Sequence, residues 1–456
     1  MESAENLKAL PESLAAVFTL PDKRQFEGTI TRIGSNNFEL AIDEMPEESW
    51  HELNTIEAEA KKEDDKYLFL DVRCMGRNMH TRRTGENSTT IFVPSITLYT
   101  NEPDNPLSQN ISSLSTNVDN LDLWLDDSLF SFHNPMHMED SMDYMLQKEV
   151  GEYKFKGFQL TLGLAIGGMR MSKFTREVKL RQHAYIRLRT TDKDRHYTEF
   201  LDALRSFERL VGLAYRSQVT AAELDVTSND FSWTAGEAKE PNIWPAYSII
   251  LSNVIPSSPQ DSYSQELNFT HKGIGIDDFQ KILDRWEELE ANILPMVDVF
   301  LTSTSGGSNV LENIFLNRVQ AIEGFHRAFR DGNLIPDDEY ETKKNAILEK
   351  FTGKDKGFIK RLLKFGNQVS LSQRIRELDK ELKLKGIATV LVCEPDIVAN
   401  TRNYYSHYEN DISNICPASD FGELTYQCGQ MVLALILIEL GLDKGLVKQA
   451  TNKLRF

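Results

Sequence analysis

Short runs rich in β-branched and aromatic residues fill the first two thirds of the chain, whereas the last third repeats its apolar residues with a helical period. Glu27-Gly-Thr-Ile-Thr-Arg-Ile33, Tyr67–Val72 and Ile91–Tyr99 are runs of this kind, bounded by Gly, Asn, Pro or Asp, and they predict strands of a sandwich or distorted barrel. A polar stretch rich in Ser, Asn and Asp, Asn101–Asn120, predicts a long loop. Strands resume at Tyr153–Leu162 and Ala184–Arg189, so two β subdomains are expected, split near 101–150. A helix is predicted over about His196–Tyr215, with Phe200, Leu204, Phe207, Val211 and Leu213 on its apolar side.

Thr302-Ser-Thr-Ser-Gly-Gly-Ser-Asn309 has the small polar residues of a flexible connection. Beyond it Asn309 and Glu312 have capping-box spacing, and Leu311, Ile314, Phe315, Ile322, Phe325 and Phe329 recur on one helical face until Asp331-Gly332. Further helices are predicted over Asp337–Phe351, Lys356–Phe365, Ser370–Leu384, Pro395–Ser413 and Phe421–Leu440. Short connections between so many helices predict an antiparallel bundle. The expected fold class is α+β and multidomain: a β-rich region over 1–300, a linker at 301–309 and an all-α helical bundle over 310–456.

A hydrophobic share of 40% beside 26% charged residues is that of an ordinary globular chain with sizeable cores. The net charge of −18 argues against a protein that coats nucleic acid. That charge is unevenly spread. From Leu311 onward 21 Lys and Arg stand against 20 Asp and Glu, which leaves 30 against 49 before it. Lys350–Lys385 holds eleven basic and four acidic residues, a surplus that suits either a phosphate backbone or a solvated helix face. The acidic start MESAENLKALPESLAAVF is unlike a secretory signal, and the apolar run Met431–Ile438 is far shorter than the ~20 residues of a membrane span. A cytoplasmic protein without membrane contact is expected. Cys74, Cys393, Cys416 and Cys428 lack the spacing of a zinc site or redox pair and are expected to be reduced thiols, mostly in the core.

The candidate chemistry lies in Arg402-Asn403-Tyr404-Tyr405-Ser406-His407, inside a helix that Glu394-Pro395-Asp396 should open. Residues four apart share a face, so Asn403 is placed to hydrogen-bond His407. Arg402 and His407 stand about 140° apart around the helix. The guanidinium must curl round to meet the imidazole, or a second copy supplies the partner. An imidazole with an ordinary pKa near ~6.5 can take or give a proton at neutral pH, and a guanidinium can hold two phosphate oxygens in its fork. That pairing suits metal-independent RNA cleavage. The spacing is not specific, because Arg73/His80, Arg176/His183 and Arg189/His196 repeat it; the asparagine after Arg402, the helix and the bundle single out the last pair.

From Val319-Gln-Ala-Ile-Glu-Gly-Phe-His-Arg327 onward the chain resembles the ApeA-like HEPN family, in which an opening helix carries Ile/Leu-Glu-x-x-His-Arg and a later one Arg-Asn-x-x-x-His. The region before it looks similar, in size and position, to the domain that accompanies this bundle in ApeA-type abortive-infection proteins. The resemblance implies a HEPN bundle and a bacterial antiviral endoribonuclease that cuts cellular RNA, transfer RNA being one candidate, when a phage-derived trigger such as a protein is sensed. It implies that Arg402 and His407 are catalytic, that Asn403 supports them, and that a homodimer forms a composite site. Glu323, His326 and Arg327 match the opening-helix pattern, either as site residues or as a buried hydrogen-bonded cluster.

Tyr404, Tyr405 and Tyr408 are candidates for stacking on unpaired RNA bases, or for core packing. His133-Asn-Pro-Met-His137-Met138 offers soft-metal donor types in a polar loop, but no metal and no cofactor are expected. Gly163, Gly167 and Gly168 lack the setting of a phosphate loop, so nucleotide hydrolysis is not expected. The alternatives are a HEPN bundle without catalysis that dimerises or binds a ligand beneath the β-rich region, and a carbohydrate-binding role for that region.

Overall fold

The computed structural model describes residues 13–33, 36–45, 53–61, 65–82, 85–100, 107–118, 121–133, 141–172, 177–221, 223–228, 247–252, 267–304, 310–387, 391–407 and 414–452. The chain forms two compact units, residues 1–208 with 219–261, and residues 209–218 with 262–456.

In the first unit β1 (Ser13–Thr19), β2 (Gln25–Ile33), β3 (Asn37–Asp43), β4 (Thr55–Ala60), β5 (Lys66–Arg82) and β6 (Gly85–Thr100) pair antiparallel in the order β6-β3-β2-β1-β4-β5. β5 then pairs back onto β6 and closes a barrel, which leaves no open edge on that side. Alternation selects the filling. In β4 Ile56, Ala58 and Ala60 are buried while Glu57 and Glu59 are exposed, and in β3 Phe38, Leu40 and Ile42 point inward. They join Phe18, Ile30, Tyr67, Phe69 and Phe92 in one core. Gly28 permits the closest approach: a Cβ there would lie 2.1 Å from the Ala41 carbonyl oxygen.

Besides β5, the long β6 serves two further neighbours, Thr89–Phe92 pairing with β3 and Ile96–Tyr99 with β16 (Tyr247–Leu251). Between them in sequence lie β7 (Asn110–Ile111), β8 (Ser113–Asn117), β9 (Phe130–His133), β10 (Ser141–Tyr144), β11 (Gln147–Phe155), β12 (Phe158–Ser172), β13 (Glu177–Arg189), β14 (Arg195–His196) and β15 (Glu223–Thr227). From β16 the sheet runs on through β15, β8, β13, β12 and β11. One continuous sheet therefore joins the halves that the sequence divides near 101–150.

Two strand expectations need correction. The predicted loop Asn101–Asn120 contains β8, a central strand whose small hydroxyl residues tolerate burial because they bond to neighbouring carbonyls: Thr116 Oγ1 donates to Glu223 O at 2.9 Å. The single strand predicted at Tyr153–Leu162 is a hairpin. Lys156 and Gly157 both have positive φ, 49° and 75°, which is the two-residue turn that matches strand twist. Around α1 (Leu121–Leu125) and α2 (Tyr197–Tyr215), Trp124 and Phe155 meet Phe207 edge-on at 6.0 Å, and Phe158 meets Phe200 at 4.5 Å.

The helical unit comprises α3 (His271–Ile274), α4 (Ile276–Thr304), α5 (Leu311–Phe329), α6 (Asp337–Leu348), α7 (Gly353–Leu362) with a 3₁₀ turn at Leu363–Phe365, α8 (Leu371–Leu384), α9 (Pro395–His407), α10 (Phe421–Glu439) and α11 (Lys444–Asn452). α3 and α4, which lie within the expected span of 1–300, belong to this compact unit, as does the expected linker at 301–309. Phe279, Leu283, Trp286, Ile293, Val297 and Phe300 of α4 are buried at helical spacing, and α4 packs along α5. Thr302–Thr304 complete α4, while 305–309 lie outside the described residues. Val310 stands at the start of α5 and makes no side-chain cap, and Asn309 lies outside the described residues; a capping box is present at Ser370 and Gln373 of α8. α10 is long and apolar enough in composition to cross a membrane, yet 72% of its apolar window is buried inside the protein. It is a core helix, apolar nearly all round.

Arg330, just after α5, fastens three elements by donating to Glu381 of α8 at 2.7 and 2.8 Å and to Glu439 of α10 at 2.9 Å. Burial pushes the Glu381 carboxyl up, but hydrogen bonds from Arg330 and Lys385 outweigh it and hold the group below its ordinary value. A carboxyl lowered on folding adds stability that is present above its unfolded pKa of about 4.3 and is lost as pH falls through the folded value. Glu381→Gln is therefore expected to flatten the acid-side decline of stability. Urea midpoints measured at successive pH values below neutrality check this; parallel curves for both proteins would exclude Glu381 from the acid response.

Candidate functional site

α9 begins where Pro395 fits a first helical turn and Asp396 meets the positive helix end, where it also accepts from Arg376 at 3.0 Å. Val398, Ala399 and Thr401 are its buried residues. Thr401 Oγ1 donates to Ile397 O at 2.7 Å and accepts from the Cys416 amide at 2.8 Å, which ties the segment after the helix back to it. The Cys393 and Cys416 thiols lie 3.2 Å apart, and burial followed by the Cys393 hydrogen bond pushes Cys416 up to about 12. All four cysteines are free, and Cys393, Cys416 and Cys428 are buried.

Against this fixed base Arg402 points toward α5. Its Nη1 donates to Asn403 Oδ1 at 3.2 Å, and its Nη2 lies 3.6 Å from Glu323 Oε2. The other Glu323 oxygen accepts from Arg327 Nη2 at 2.7 Å, a pairing that the four-residue helical spacing makes easy. Glu323 thus bridges two guanidiniums with one oxygen each. Beside it His326 is fully buried, with Nε2 2.8 Å from Glu377 Oε2 and Nδ1 2.9 Å from Arg374 Nη1. A guanidinium can only donate, so Nδ1 is the acceptor, and the hydrogen on Nε2 goes to Glu377. These partners assign His326 to its neutral Nε2–H tautomer.

Arg374 and Glu377 of α8 are the residues that sequence reasoning missed. Arg374 is only 3% exposed and also donates from Nε to Val369 O at 3.0 Å. Burial chiefly, and then the nearby Arg327, push its pKa down, while Glu323 and Glu377 push it up. The readable signal was position. Arg374, Ile375, Leu378 and Leu382 are the buried residues of α8, so a guanidinium shares the face a bundle normally fills with hydrocarbon.

Other expected partners are not brought together. Asn403 serves Arg402 rather than His407, and His407 ends α9 exposed, with no hydrogen bond or ion pair among the described residues. Arg402 is likewise not joined to His407 within the chain. Tyr405 packs on Phe421 at 5.1 Å and Tyr404 on Tyr405 at 5.0 Å. Burial raises the Tyr405 pKa, with Glu312 adding to it. Tyr408 and most of the His133–Met138 stretch, including both its methionines, lie outside the described residues. The basic stretch includes α7, which buries none of its residues and leaves Phe358 and Leu362, with Phe365 just beyond, exposed beside Lys360, Arg361 and Lys364.

Fold and site together define a β-barrel region followed by a helical bundle with a polar, arginine-rich seam between its opening helix, α8 and α9. The family description "ApeA N-terminal domain 1" matches residues 14–286 and "Apea-like HEPN" matches residues 316–446, so the chain belongs to the ApeA-like HEPN family. No curated protein and no solved structure matches it. It is a HEPN-type anti-phage defence protein, and HEPN domains are generally ribonucleases.

Proposed function

We propose that this chain is a metal-independent RNA endonuclease in which Arg402 and His407 are catalytic and Asn403 positions Arg402. The observation that carries the reading is one helix end, within the HEPN match, bearing both a positioned guanidinium and an exposed imidazole. The imidazole takes the proton of a ribose 2′-hydroxyl, the 2′-oxygen bonds to phosphorus, and the bond to the 5′-oxygen breaks as that oxygen gains a proton. The guanidinium neutralises charge that accumulates on the phosphoryl oxygens. The products carry a 2′,3′-cyclic phosphate and a 5′-hydroxyl.

Because Arg402 and His407 are apart within one chain, the reading includes a homodimer in which one copy's arginine serves its partner's histidine. No cofactor enters the chemistry. RNA in the cytoplasm is the substrate class, with transfer RNA a candidate, and a phage-derived trigger acting on the β-rich region releases the activity without membrane contact. The rival reading, a non-catalytic dimerisation or ligand-binding bundle, draws on the same separation of the two side chains. End-mapping of RNA from phage-challenged cells decides between them. New 5′-hydroxyl ends at defined sites are expected with the parent chain and not with Arg402→Ala; protection of cells without any such ends would leave the binding module standing.

A further inference from the structure

The seam between α5, α8 and α9 holds more positive charge than its carboxylates answer. Nearby, Arg330 is matched by both Glu381 and Glu439, and Arg376 by Asp396. Arg402, Arg327 and Arg374 have between them Glu323 and, at the far side of neutral His326, Glu377. Arg374 is the unusual member, a buried guanidinium whose hydrogen-bond partners are a backbone carbonyl and an uncharged imidazole. A buried cation without an ion-pair partner is costly, so a seam built this way favours any anion that comes to it.

Glu323 already shows where an anion fits. Its two oxygens meet Arg327 at 2.7 Å and Arg402 at 3.6 Å, one oxygen to each guanidinium. A phosphodiester also presents two equivalent oxygens that share one negative charge, and guanidiniums recognise both groups through the same hydrogen-bond geometry. The two forks are reachable, with Arg327 56% and Arg402 33% exposed, whereas Arg374 stays behind them as fixed charge.

We propose that Glu323 occupies the seat of an RNA phosphate, and that Arg327 with Arg402 grips that phosphate when the flexible glutamate side chain turns away. The inference rests on the ribonuclease reading for the identity of the anion. It makes Arg327 a substrate-binding residue and Glu323 a built-in competitor that keeps the seat filled until RNA arrives. Within one chain the seat is not joined to His407, and an RNA that cannot be cut reads binding there without cleavage.

The test is equilibrium binding of a short 2′-O-methyl oligouridine, which lacks the nucleophilic hydroxyl, to the full chain at several salt concentrations. Glu323→Gln keeps the shape and removes the competing charge, and it is expected to tighten binding about tenfold. Arg327→Gln is expected to weaken binding about tenfold and to lower the slope of log affinity against log salt by about 0.7, the value for one single-strand phosphate contact. Unchanged or weaker binding by a folded Glu323→Gln protein would overturn the proposal, since Glu323 would then merely hold Arg402 in place. If that variant fails to fold, Arg327→Gln carries the test, and parent-like affinity and slope overturn it. Tightening by Glu323→Gln in a protein that never cuts RNA would keep the seat and remove the nuclease; cleavage by the parent with no change in either variant would do the reverse.

Discussion

Replacing His407 with alanine is expected to reduce single-turnover RNA cleavage by about 10²–10⁴-fold, the range that a positioned proton-transfer group contributes. The imidazole is exposed at the end of α9 and holds no hydrogen bond among the described residues, so its loss removes chemistry and little else. Stability should stay within about 0.5 kcal/mol of the parent, which separates this variant from one that is merely unfolded. Arg402→Lys is a sharper probe of the arginine, because lysine keeps the charge but loses the planar fork. If the site is composite, mixing Arg402→Ala with His407→Ala copies should restore cleavage in part, since one of the two sites in a mixed dimer then regains both residues. Cleavage by His407→Ala at the parent rate would sink the acid–base assignment. An inactive mixture beside an active parent would put the arginine and histidine in one chain.

How far such residues can be read from the sequence depends on whether their partners are local. Arg402, Asn403 and His407 are legible because one helix carries them, and Glu323 and Arg327 because they stand four apart on another. That Glu323 joins Arg402 to Arg327 is a contact between helices that no spacing states. Arg374 and Glu377 reach His326 from α8, and only the odd placement of an arginine on an apolar face hints at them. The barrel was legible as alternation, in Ile56, Ala58 and Ala60 for example, but not as a closed sheet, since closure rests on β5 pairing back onto β6. β8 was lost because Ser113-Leu-Ser-Thr-Asn117 has the composition of a loop, and burial of its hydroxyls depends on carbonyls of a strand some hundred residues away. The hairpin at Lys156-Gly157 was hidden by strand-like residues on both sides of a two-residue turn.

Where the bundle is cut from the rest of the chain has the largest expected consequence for stability, because α4 belongs to the same compact unit as the helices after it. A fragment of residues 310–456, cut where the small polar linker suggests, is expected to lack a cooperative fold because it leaves α4 behind. α4 contributes ten buried apolar side chains to the helical unit, among them Phe279, Trp286, Ile293 and Phe300. Each large one is worth about 1.5–3 kcal/mol when buried, so the loss of only a few consumes the 5–15 kcal/mol by which a domain is usually stable. The apolar face of α5, including Phe315, Val319 and Ile322, is buried in the intact chain, and loss of the packed α4 would expose much of it. Within the full chain Trp286→Ala should cost about 3–5 kcal/mol by the cavity it leaves. Urea unfolding followed by circular dichroism measures both: the fragment should show no sharp transition, and the Trp286→Ala chain should show an earlier midpoint in the transition of the helical unit. A cooperative, parent-like transition in residues 310–456 alone would place the boundary at 301–309 and reduce α4 to an accessory of a bundle that stands without it.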